Sequence, residues 1–139
     1  MNPDCVFCKI LAGQIPSARI FEDSTRLAFL DIGPIQPGHV LLIPKTHYER
    51  LTDMPEEEAG SLLSVLPRLA RAVVAATGAD GFNIHQTNGA CSGQSVPHVH
   101  FHIIPRHNTD GYSFHWKPGA YKQGEIQNWQ QRIQKALGR

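Results

Sequence analysis

The chain has 139 residues, of which 41% are hydrophobic and 18% are charged, a composition typical of a globular protein with one hydrophobic core. The formal net charge of +1, with histidine neutral, provides no basic surface for nucleic acid. Three cysteines are too few for a disulfide framework, no secretion signal is evident, and the apolar runs are short for a membrane span. We therefore expect one cytoplasmic domain, residues 1–139, that binds neither nucleic acid nor membranes.

The first part of the chain is predicted to hold a short helix followed by strands. The helix, over residues 4–12, carries a C-x-x-C pattern and ends near Gly13. Turn residues such as E-D-S-T then separate short apolar stretches of the kind that form strands. These strands are predicted over residues 19–22, 27–30 and 39–44.

A long helix is predicted in the middle of the chain. Pro55 and the three glutamates after it suit a first turn, and apolar residues keep helical spacing until Gly78 ends the helix. Pro67 lies inside this pattern and predicts a bend, because proline cannot donate the hydrogen bond that a straight helix needs.

The last part of the chain is predicted to add two strands, a tail and a C-terminal helix. The strands cover residues 81–87 and 98–104, on either side of a loop that contains glycine and serine. The tail, residues 111–119, has no periodicity, whereas residues 125–137 form a polar amphipathic helix. Strands, one long helix and strands again are typical of an α+β domain with a mainly antiparallel sheet.

The segment G-Q-S-V-P-H-V-H-F-H-I-I-P-R, residues 93–106, places a histidine at every second position. Alternate residues of a strand share one face, so the three imidazoles are predicted to point the same way. Val99 and Phe101 are expected to face the core, with Ile103 turning back toward the histidine side. The three histidines are His98, His100 and His102.

Three interpretations of this pattern are open. The histidines could form a plain polar face in water, although three such residues together are improbable by composition. They could bind a metal, but the outer pair is about 13 Å apart along a strand and zinc–nitrogen bonds are about 2 Å long. They could act in covalent catalysis on phosphorus, because a neutral imidazole is a nucleophile near pH 7. The last interpretation also explains the preceding loop, whose backbone N–H groups could hold phosphate oxygens.

Three blocks of the sequence resemble the histidine triad (HIT) superfamily. They are the triad segment with its preceding G-Q-S-V, the block L-A-F-L-D-I-G-P-I-Q-P-G-H-V-L-L-I-P-K, and C-x-F-C-K-I-x-x-G-x-I-P near the start. Together they cover nearly the whole chain and are most similar to the bacterial Hint-like branch of nucleotide hydrolases. The resemblance implies a HIT-like fold with a mainly antiparallel sheet of about five strands, one long central helix and a C-terminal helix.

The resemblance implies a catalytic set of four residues. His100, the middle histidine, is the nucleophile for the α-phosphorus of a nucleotide, and the backbone carbonyl of His98 orients its ring. His102 contacts the phosphate and the leaving side, whereas His39 supports the triad from a neighbouring strand. Ser95 or His102 is the candidate relay for the proton that the leaving group takes up.

The resemblance also implies a nucleotide-binding set. A carboxylate can accept hydrogen bonds from both ribose hydroxyls, which is the role implied for Asp31, although an aspartate there also suits a turn. Apolar residues would hold the base, and the loop before the triad would line the phosphates. The full set is Ile15, Phe29, Asp31, Ile32, Asn88, Gly93, Gln94, Ser95, Val96, His100 and His102.

A metal site is the second implication of the resemblance. Cys5 and Cys8 form a C-x-x-C pair, which alone is a weak indication of metal binding. The resemblance adds His47 from P-K-x-H and His98, which gives a closed Cys2His2 set typical of structural zinc. A pair of reduced thiols is the alternative. No organic cofactor is expected.

The remaining histidines and aromatic residues carry weaker interpretations. His85 alternates within a predicted strand and is interpreted as structural. His115 and Trp116 resemble the C-terminal H-W-x-P-G of Hint-like proteins, whose tryptophan region approaches the partner's site, but more residues separate them from the triad here. Cys91 is interpreted as a small filler in the loop.

The leading functional prediction is a nucleotide-binding hydrolase that acts at the α-phosphate of nucleoside 5′-monophosphate derivatives. The favoured reaction is cleavage of the P–N bond of an AMP phosphoramidate through a covalent nucleotidyl intermediate on His100. The alternatives are a dinucleoside polyphosphate hydrolase, as in the Fhit-like branch, and a nucleotide-binding regulator without turnover. The expected partners are a purine nucleotide and, by resemblance, a second copy of the chain in a homodimer.

Overall fold

A computed structural model describes residues 1–138, which form a five-stranded antiparallel sheet and four α-helices. Arg139, the last residue of the predicted C-terminal segment, lies outside the described residues. The helices are α1 (Val6–Leu11), α2 (Glu56–Leu63), α3 (Leu66–Thr77) and α4 (Glu125–Ala136). The strands are β1 (Arg19–Glu22), β2 (Arg26–Leu30), β3 (Val40–Pro44), β4 (Gly81–His85) and β5 (Phe101–Arg106). The predicted α+β class, with an antiparallel sheet of five strands and a C-terminal helix, is confirmed.

The sheet has the strand order β1-β2-β3-β5-β4, and each neighbouring pair is antiparallel. All five residues of the central strand β3 are buried, because both faces of the sheet are covered there. The register places His102 of β5 opposite Leu41 of β3 on one side and opposite His85 of β4 on the other. His102 therefore lies between two strands that are far apart in the sequence.

Alternation along the strands divides the core into two layers. On one face the strands pack against α2 and α3, and on the other they pack against α1. The α3 face contains Ala28, Val40, Leu42, Val99, Phe101 and Ile103 of the strands and their flanks. The α1 face contains Leu27, Phe29, Leu41 and Ile43.

The three histidines lie on the α1 face, as their spacing predicts. The ring of Phe7 in α1 makes edge-to-face contacts with His98 and His100, with centroid distances of 5.8 and 5.1 Å. The expected return of Ile103 to the histidine side is wrong, since Ile103 is fully buried on the α3 face. Its position follows the strand alternation that already places Phe101 there.

The long helix is interrupted slightly before its proline. Ser64 and Val65 separate α2 from α3, and Pro67 lies in the first turn of α3. A proline ring clashes with the carbonyl group four residues earlier, which is that of Leu63, the last residue of α2. The first turn of a helix does not need the missing N–H, so the chain restarts its helix around Pro67.

By length and composition alone, residues 56–77 would pass as a membrane-spanning helix. Their apolar side instead packs in the core against the sheet. The packed residues are Leu62, Val65, Leu69, Ala70 and Val73.

Other boundaries differ by a few residues from the predicted ones. β5 begins at Phe101, so His98 and His100 lie in the segment just before it, where the N–H of Val99 donates to the Tyr48 carbonyl (2.8 Å). β4 ends at His85 rather than at residue 87. α4 ends one residue before its predicted end, and its exposed apolar residues are Ile126, Trp129 and Ile133.

Candidate active site and metal centre

Histidines supply the buried polar side chains among the described residues. His98 is fully buried, and His39 and His100 are nearly so. His39 directly precedes β3 and contacts His102 of β5, whereas His98 and His100 lie just before β5, at the other end of this antiparallel pair. A buried imidazole without a partner costs free energy, so the contacts of each ring nitrogen indicate its function.

One end of the triad segment lies in a cluster with two thiols and a fourth histidine. Nδ1 of His98 lies 3.4 Å from Sγ of Cys5, 3.7 Å from Sγ of Cys8 and 3.1 Å from Nδ1 of His47. Nδ1 of His47 lies 3.4 Å from Sγ of Cys8. These four ligand atoms lie within 4.8 Å of one another, so the structure brings the whole predicted metal set together.

The spacing of this cluster suits one tetrahedral ion. Zinc bonds of about 2.0 to 2.3 Å imply ligand–ligand separations of about 3.3 to 3.8 Å. Around His98, the separations of 3.4 and 3.7 Å from the two sulfurs lie in that range, and the separation of 3.1 Å from Nδ1 of His47 is slightly shorter. In addition, Nε2–H of His98 donates to the Pro44 carbonyl (2.9 Å), which leaves Nδ1 with its lone pair toward the thiols.

The protonation states in this cluster suit a metal ligand set. Burial lowers the pKa of His98 to about 4, so its ring is neutral near pH 7. Burial raises the pKa of the Cys5 thiol, which therefore stays protonated in the absence of an ion. A coordinating cation reverses this preference, because a thiol bound to a divalent metal is deprotonated.

His100 has one ring nitrogen held and the other free. Its Nδ1–H donates to the backbone carbonyl of His98 at 2.7 Å, which is the contact predicted for a nucleophile. Nε2 therefore carries the lone pair, on a side chain that lines the space described below. Burial lowers the pKa of His100, which keeps this lone pair available near neutral pH.

A second hydrogen-bond chain fixes the tautomers of His39 and His102. The N–H of Ile35 donates to Nδ1 of His39 (3.1 Å), so the proton of this neutral ring is on Nε2. That Nε2–H donates to Nδ1 of His102 (2.8 Å). The proton of His102 is therefore on its own Nε2, which becomes a donor toward ligand. Burial lowers the pKa of His102 to about 4, so the ring stays neutral.

Asp31 completes this group at its edge. Its Oδ1 accepts a hydrogen bond from the N–H of Gly33 (2.8 Å), and its Oδ2 lies 3.7 Å from Nε2 of His39. Asp31, His39 and His102 are close enough to hold a metal ion together. However, both nitrogens of His39 already have protein partners, so hydrogen bonding accounts for this group without an ion.

Two hollows meet at His100 and His102. The first, the α1 hollow, has a volume of about 240 Å³, and its lining includes Phe7, Ile10, Ile15, Phe29, Ile32 and Val96. The second, the tail hollow, has a volume of about 260 Å³, and its lining includes His39, His85, Gly93, Tyr112 and Phe114. Four residues border both hollows, namely Asp31, Ser95, His100 and His102.

Most of the predicted nucleotide-binding residues line one of these hollows, but two do not. Oδ1 of Asn88 accepts the N–H of Leu51 (2.7 Å), so its side chain braces the loop. The side chain of Gln94 accepts from the N–H of Gly89 (2.7 Å) and donates to the Glu49 carbonyl (2.7 Å). Both side-chain amides therefore brace the loop in this structure, and contact of Asn88 or Gln94 with phosphate stays a prediction. Ile32 lines the α1 hollow but is 98% exposed, at its mouth.

The structure also adds residues that the sequence pattern does not reveal. α1 contributes an apolar wall through Val6, Phe7 and Ile10. His85, interpreted as structural, lines the tail hollow with Phe114. Trp116, in contrast, is 81% exposed and lines neither hollow.

The family model described as HIT domain matches residues 12–109, which is well over half of the chain. The chain belongs to the HIT family. Protein hit of Bacillus subtilis is 44% identical to this HIT protein over 137 residues, which cover 96% of this chain and 94% of the relative.

Two eukaryotic relatives of this HIT protein carry enzyme names. An adenosine 5′-monophosphoramidase of Schizosaccharomyces pombe is 40% identical over 106 residues, covering 76% of this chain and 77% of the relative. An adenylylsulfatase of Arabidopsis thaliana is 45% identical over 110 residues, covering 79% of this chain but only 56% of the plant protein.

Solved structures of similar proteins agree with the fold. A protein of Streptococcus mutans superimposes with a TM-score of 0.94 at 39% identity, covering 99% of this chain and 87% of that chain. A zinc-bound histidine triad family protein of Mycobacterium smegmatis gives a TM-score of 0.75 at 40% identity, covering 96% and 97%.

Proposed function

We propose that this HIT protein hydrolyses AMP phosphoramidates at their P–N bond through a covalent nucleotidyl intermediate on His100. The observation that carries the proposal is the hydrogen bond from Nδ1–H of His100 to the His98 carbonyl, which leaves Nε2 as a lone pair where two hollows meet. The relative named as an adenosine 5′-monophosphoramidase supports the choice of reaction.

The nucleoside binds in the α1 hollow in this proposal. Phe29 and Ile15 provide apolar surface for a purine, and Asp31 at the edge accepts hydrogen bonds from the ribose hydroxyls. Asp31 borders both hollows, so a ribose held there places the 5′-phosphate beside His100 and His102. The backbone of the loop at Ser95 and Val96 adds donors for the phosphate oxygens.

The proposed reaction takes place in two displacements. First, Nε2 of His100 forms a bond to phosphorus while the P–N bond breaks, and the leaving nitrogen keeps the electron pair and takes a proton. The hydroxyl of Ser95 or Nε2–H of His102 relays that proton from solvent. Water then attacks phosphorus, the electron pair of the P–Nε2 bond returns to His100, and water releases the balancing proton.

We also propose that Cys5, Cys8, His47 and His98 hold a structural zinc ion. The ligand spacing and the neutral His98 ring support this assignment, as does the zinc-bound relative from M. smegmatis. Bound zinc would cross-link α1 to the segment before β5 and supply no reaction chemistry, because four protein ligands leave no open position. In this proposal, substrate binding and proton relay depend on protein side chains and backbone groups and do not involve the metal.

A homodimer is the proposed assembly. A hollow of about 550 Å³ forms an apolar groove between α3 and the edge strand β4, and none of the site histidines lines it. Phe82 and Ile84 are half exposed there on a strand with one unpaired side. The net charge of +1 allows two copies to approach without strong repulsion. Light scattering should give a dimer mass that Ile84→Asp reduces to that of a monomer.

Mass spectrometry of protein quenched during turnover of an AMP phosphoramidate tests the reaction. We expect an adenylyl adduct on His100, absent from His100→Ala and present in His107→Ala, a matched control outside both hollows. Faster turnover of a diadenosine polyphosphate than of the phosphoramidate would favour the other hydrolase class. AMP binding without any turnover would favour a regulator.

A further inference from the structure

One buried side-chain oxygen in the structure has no hydrogen-bond partner. Within residues 1–138 it is Oγ of Ser17, and every other buried side-chain nitrogen or oxygen of that range is paired. Folded proteins pair nearly all of their buried polar groups, because an unpaired hydroxyl loses its hydrogen bonds to water and gains none in return. The hydroxyl of Ser17 is therefore a candidate to bind a ligand.

Ser17 lies in the wall of the α1 hollow, the space that the proposed nucleoside occupies. The other polar side chains of this wall also border the tail hollow, and they are Asp31, Ser95, His100 and His102. The remaining lining residues of the α1 hollow are apolar. Ser17 is therefore the polar side chain of the part of the α1 hollow that lies away from the triad.

The backbone on both sides of Ser17 is anchored. The N–H of Gln14 donates to the carbonyl of Lys9 (2.9 Å), which attaches the segment to α1. The N–H of Leu30 donates to the carbonyl of Ala18 (3.0 Å), which attaches it to the end of β2. The backbone thus places Ser17 at the wall without help from its hydroxyl. Rotation of that hydroxyl toward the hollow breaks no hydrogen bond, because it makes none in the described chain.

The base of the nucleotide is the part that reaches Ser17. A ribose at Asp31 and a phosphate at His100 and His102 occupy the end of the α1 hollow that adjoins the tail hollow, so the base extends into the remainder. A hydroxyl can both donate and accept a hydrogen bond. The edge of adenine offers ring nitrogens that accept and an amino group that donates, so either function of the hydroxyl finds a partner there.

We propose that the hydroxyl of Ser17 hydrogen-bonds to the polar edge of the purine and that Ser17 is a specificity-determining residue of the nucleoside pocket. This inference rests on the proposed nucleotide binding and names the feature of the base that the site recognises. The apolar wall alone accepts any flat ring of suitable size. Ser17 adds discrimination, because a base without polar atoms leaves its hydroxyl unpaired.

Calorimetric binding of AMP and of indole riboside 5′-monophosphate tests the proposal. Indole joined to ribose through its nitrogen has nearly the shape of a purine but no polar edge. We expect Ser17→Ala to weaken AMP binding about fivefold and binding of the indole nucleotide less than about 1.5-fold. Ser17→Thr keeps a hydroxyl and should preserve the wild-type ratio of the two affinities. Ser24→Ala, at an exposed serine outside both hollows, is the matched control and should change neither affinity.

The stability of the nucleotide-free protein is a second readout. Because the Ser17 hydroxyl is unpaired, Ser17→Ala should leave the Tm unchanged or raise it slightly. A lowered Tm, together with equal losses of affinity for both nucleotides, would show that the hydroxyl has a structural role and would overturn the proposal. An AMP affinity that Ser17→Ala does not change would overturn it as well.

These binding measurements do not depend on turnover, so they separate this inference from the proposed reaction. If Ser17→Ala selectively weakens AMP binding in a protein that hydrolyses no phosphoramidate, the base contact stands and only the proposed reaction is lost. If an adenylyl adduct forms on His100 but Ser17→Ala binds both nucleotides like the wild-type protein, the reaction stands and the base contact is rejected. Absence of AMP binding to the wild-type protein would reject the nucleoside pocket and the contact together.

Discussion

The two ends of the triad segment contain the same residue type but differ in how their ring nitrogens are arranged. At His98 the lone-pair atoms converge on one another, with Nδ1 facing two sulfurs and the Nδ1 of His47 at 3.1 to 3.7 Å. At His102 each contact runs from a donor to an acceptor, beginning with the N–H of Ile35 and passing through His39. Lone pairs that face one another at this distance are stabilised by a bound cation. An ordered chain of donors and acceptors instead fixes which nitrogen carries each proton.

This difference shows that alternation along a strand determines which face a histidine occupies but does not determine its function. The function depends on which backbone group holds the second nitrogen. The carbonyl of Pro44 accepts the proton of His98 at Nε2, and the carbonyl of His98 accepts the proton of His100 at Nδ1. The two rings therefore present opposite nitrogens, one to the thiols and the other to the hollows.

The two ends are also mechanically connected through α1. Cys5 and Cys8 flank Phe7 in the sequence, and the Phe7 ring contacts both His98 and His100. Val6 and Ile10 of the same helix line the α1 hollow. A change at the metal end should therefore reach the nucleoside pocket, whereas a change at the catalytic end should leave the metal cluster intact.

The largest expected effect is at the catalytic end. His100→Ala removes the proposed nucleophile and should lower kcat for an AMP phosphoramidate by about 10⁴-fold or more. The ring is nearly buried, and we expect its removal to cause a small loss of stability. AMP should still bind to the variant. Its zinc content, measured by mass spectrometry, should match that of the wild-type protein. Full activity in a folded His100→Ala protein would contradict the assignment of the nucleophile.

The next effect is at the metal end and should appear mainly in stability. Cys8→Ser should destabilise the fold by about 3 kcal/mol, equivalent to a Tm lowered by about 10 °C, because the link between α1 and the β5 segment is lost. The free thiol Cys91 is exposed, so Cys91→Ser is the matched control and should unfold like the wild-type protein. Calorimetry with and without a chelator measures the unfolding temperature of both variants.

The outcome for Cys8→Ser also tests the connection through α1. We expect a raised KM with a smaller change in kcat, since Phe7 and Ile10 help to form the nucleoside pocket. If chelation abolished kcat while the fold and AMP binding persisted, the metal would have a part in the chemistry, and the separation of the two ends would be wrong.

A smaller effect should follow from breaking the donor chain. His39→Met removes the N–H that fixes the tautomer of His102 and should lower kcat about 10²-fold. His39→Gln keeps an N–H donor near that position and should retain more of the activity. Stopped-flow measurement of leaving-group release compares the two variants directly. Equal losses in both variants would show that shape, rather than the donor, matters at position 39.

The sequence predicts much of the fold because its signals are local and periodic, whereas the family resemblance supplies two of the four metal ligands, His47 and His98. The spacing of His98, His100 and His102 determines their common face, and the C-x-x-C pair lies at the start of one short helix, with Cys5 as its N-cap. The break before Pro67 is displaced by two residues from the predicted bend, because a proline disrupts the turn that precedes it rather than its own.

The sequence predicts less of the hollows, because their walls depend on contacts between distant segments. His85 meets His102 through the β4–β5 register, and Phe114 reaches the site because Arg106 holds the tail. The side chains of Asn88 and Gln94 hydrogen-bond to the backbone of Leu51 and Glu49, more than thirty residues earlier. Neither kind of contact leaves a periodic pattern in the chain.

The smallest expected effect is at Asp31, beside the donor chain. Asp31→Asn keeps an oxygen to accept the Gly33 N–H, so the turn should survive, but it removes the charge that would strengthen two ribose hydrogen bonds. We expect KM to rise about tenfold with little change in kcat, which a substrate lacking both ribose hydroxyls can check. Wild-type and variant proteins should have similar KM values for that substrate, since neither can then use the carboxylate. If the tenfold difference in KM between the two proteins persisted with that substrate, Asp31 would act by positioning His39 and not by binding the ribose.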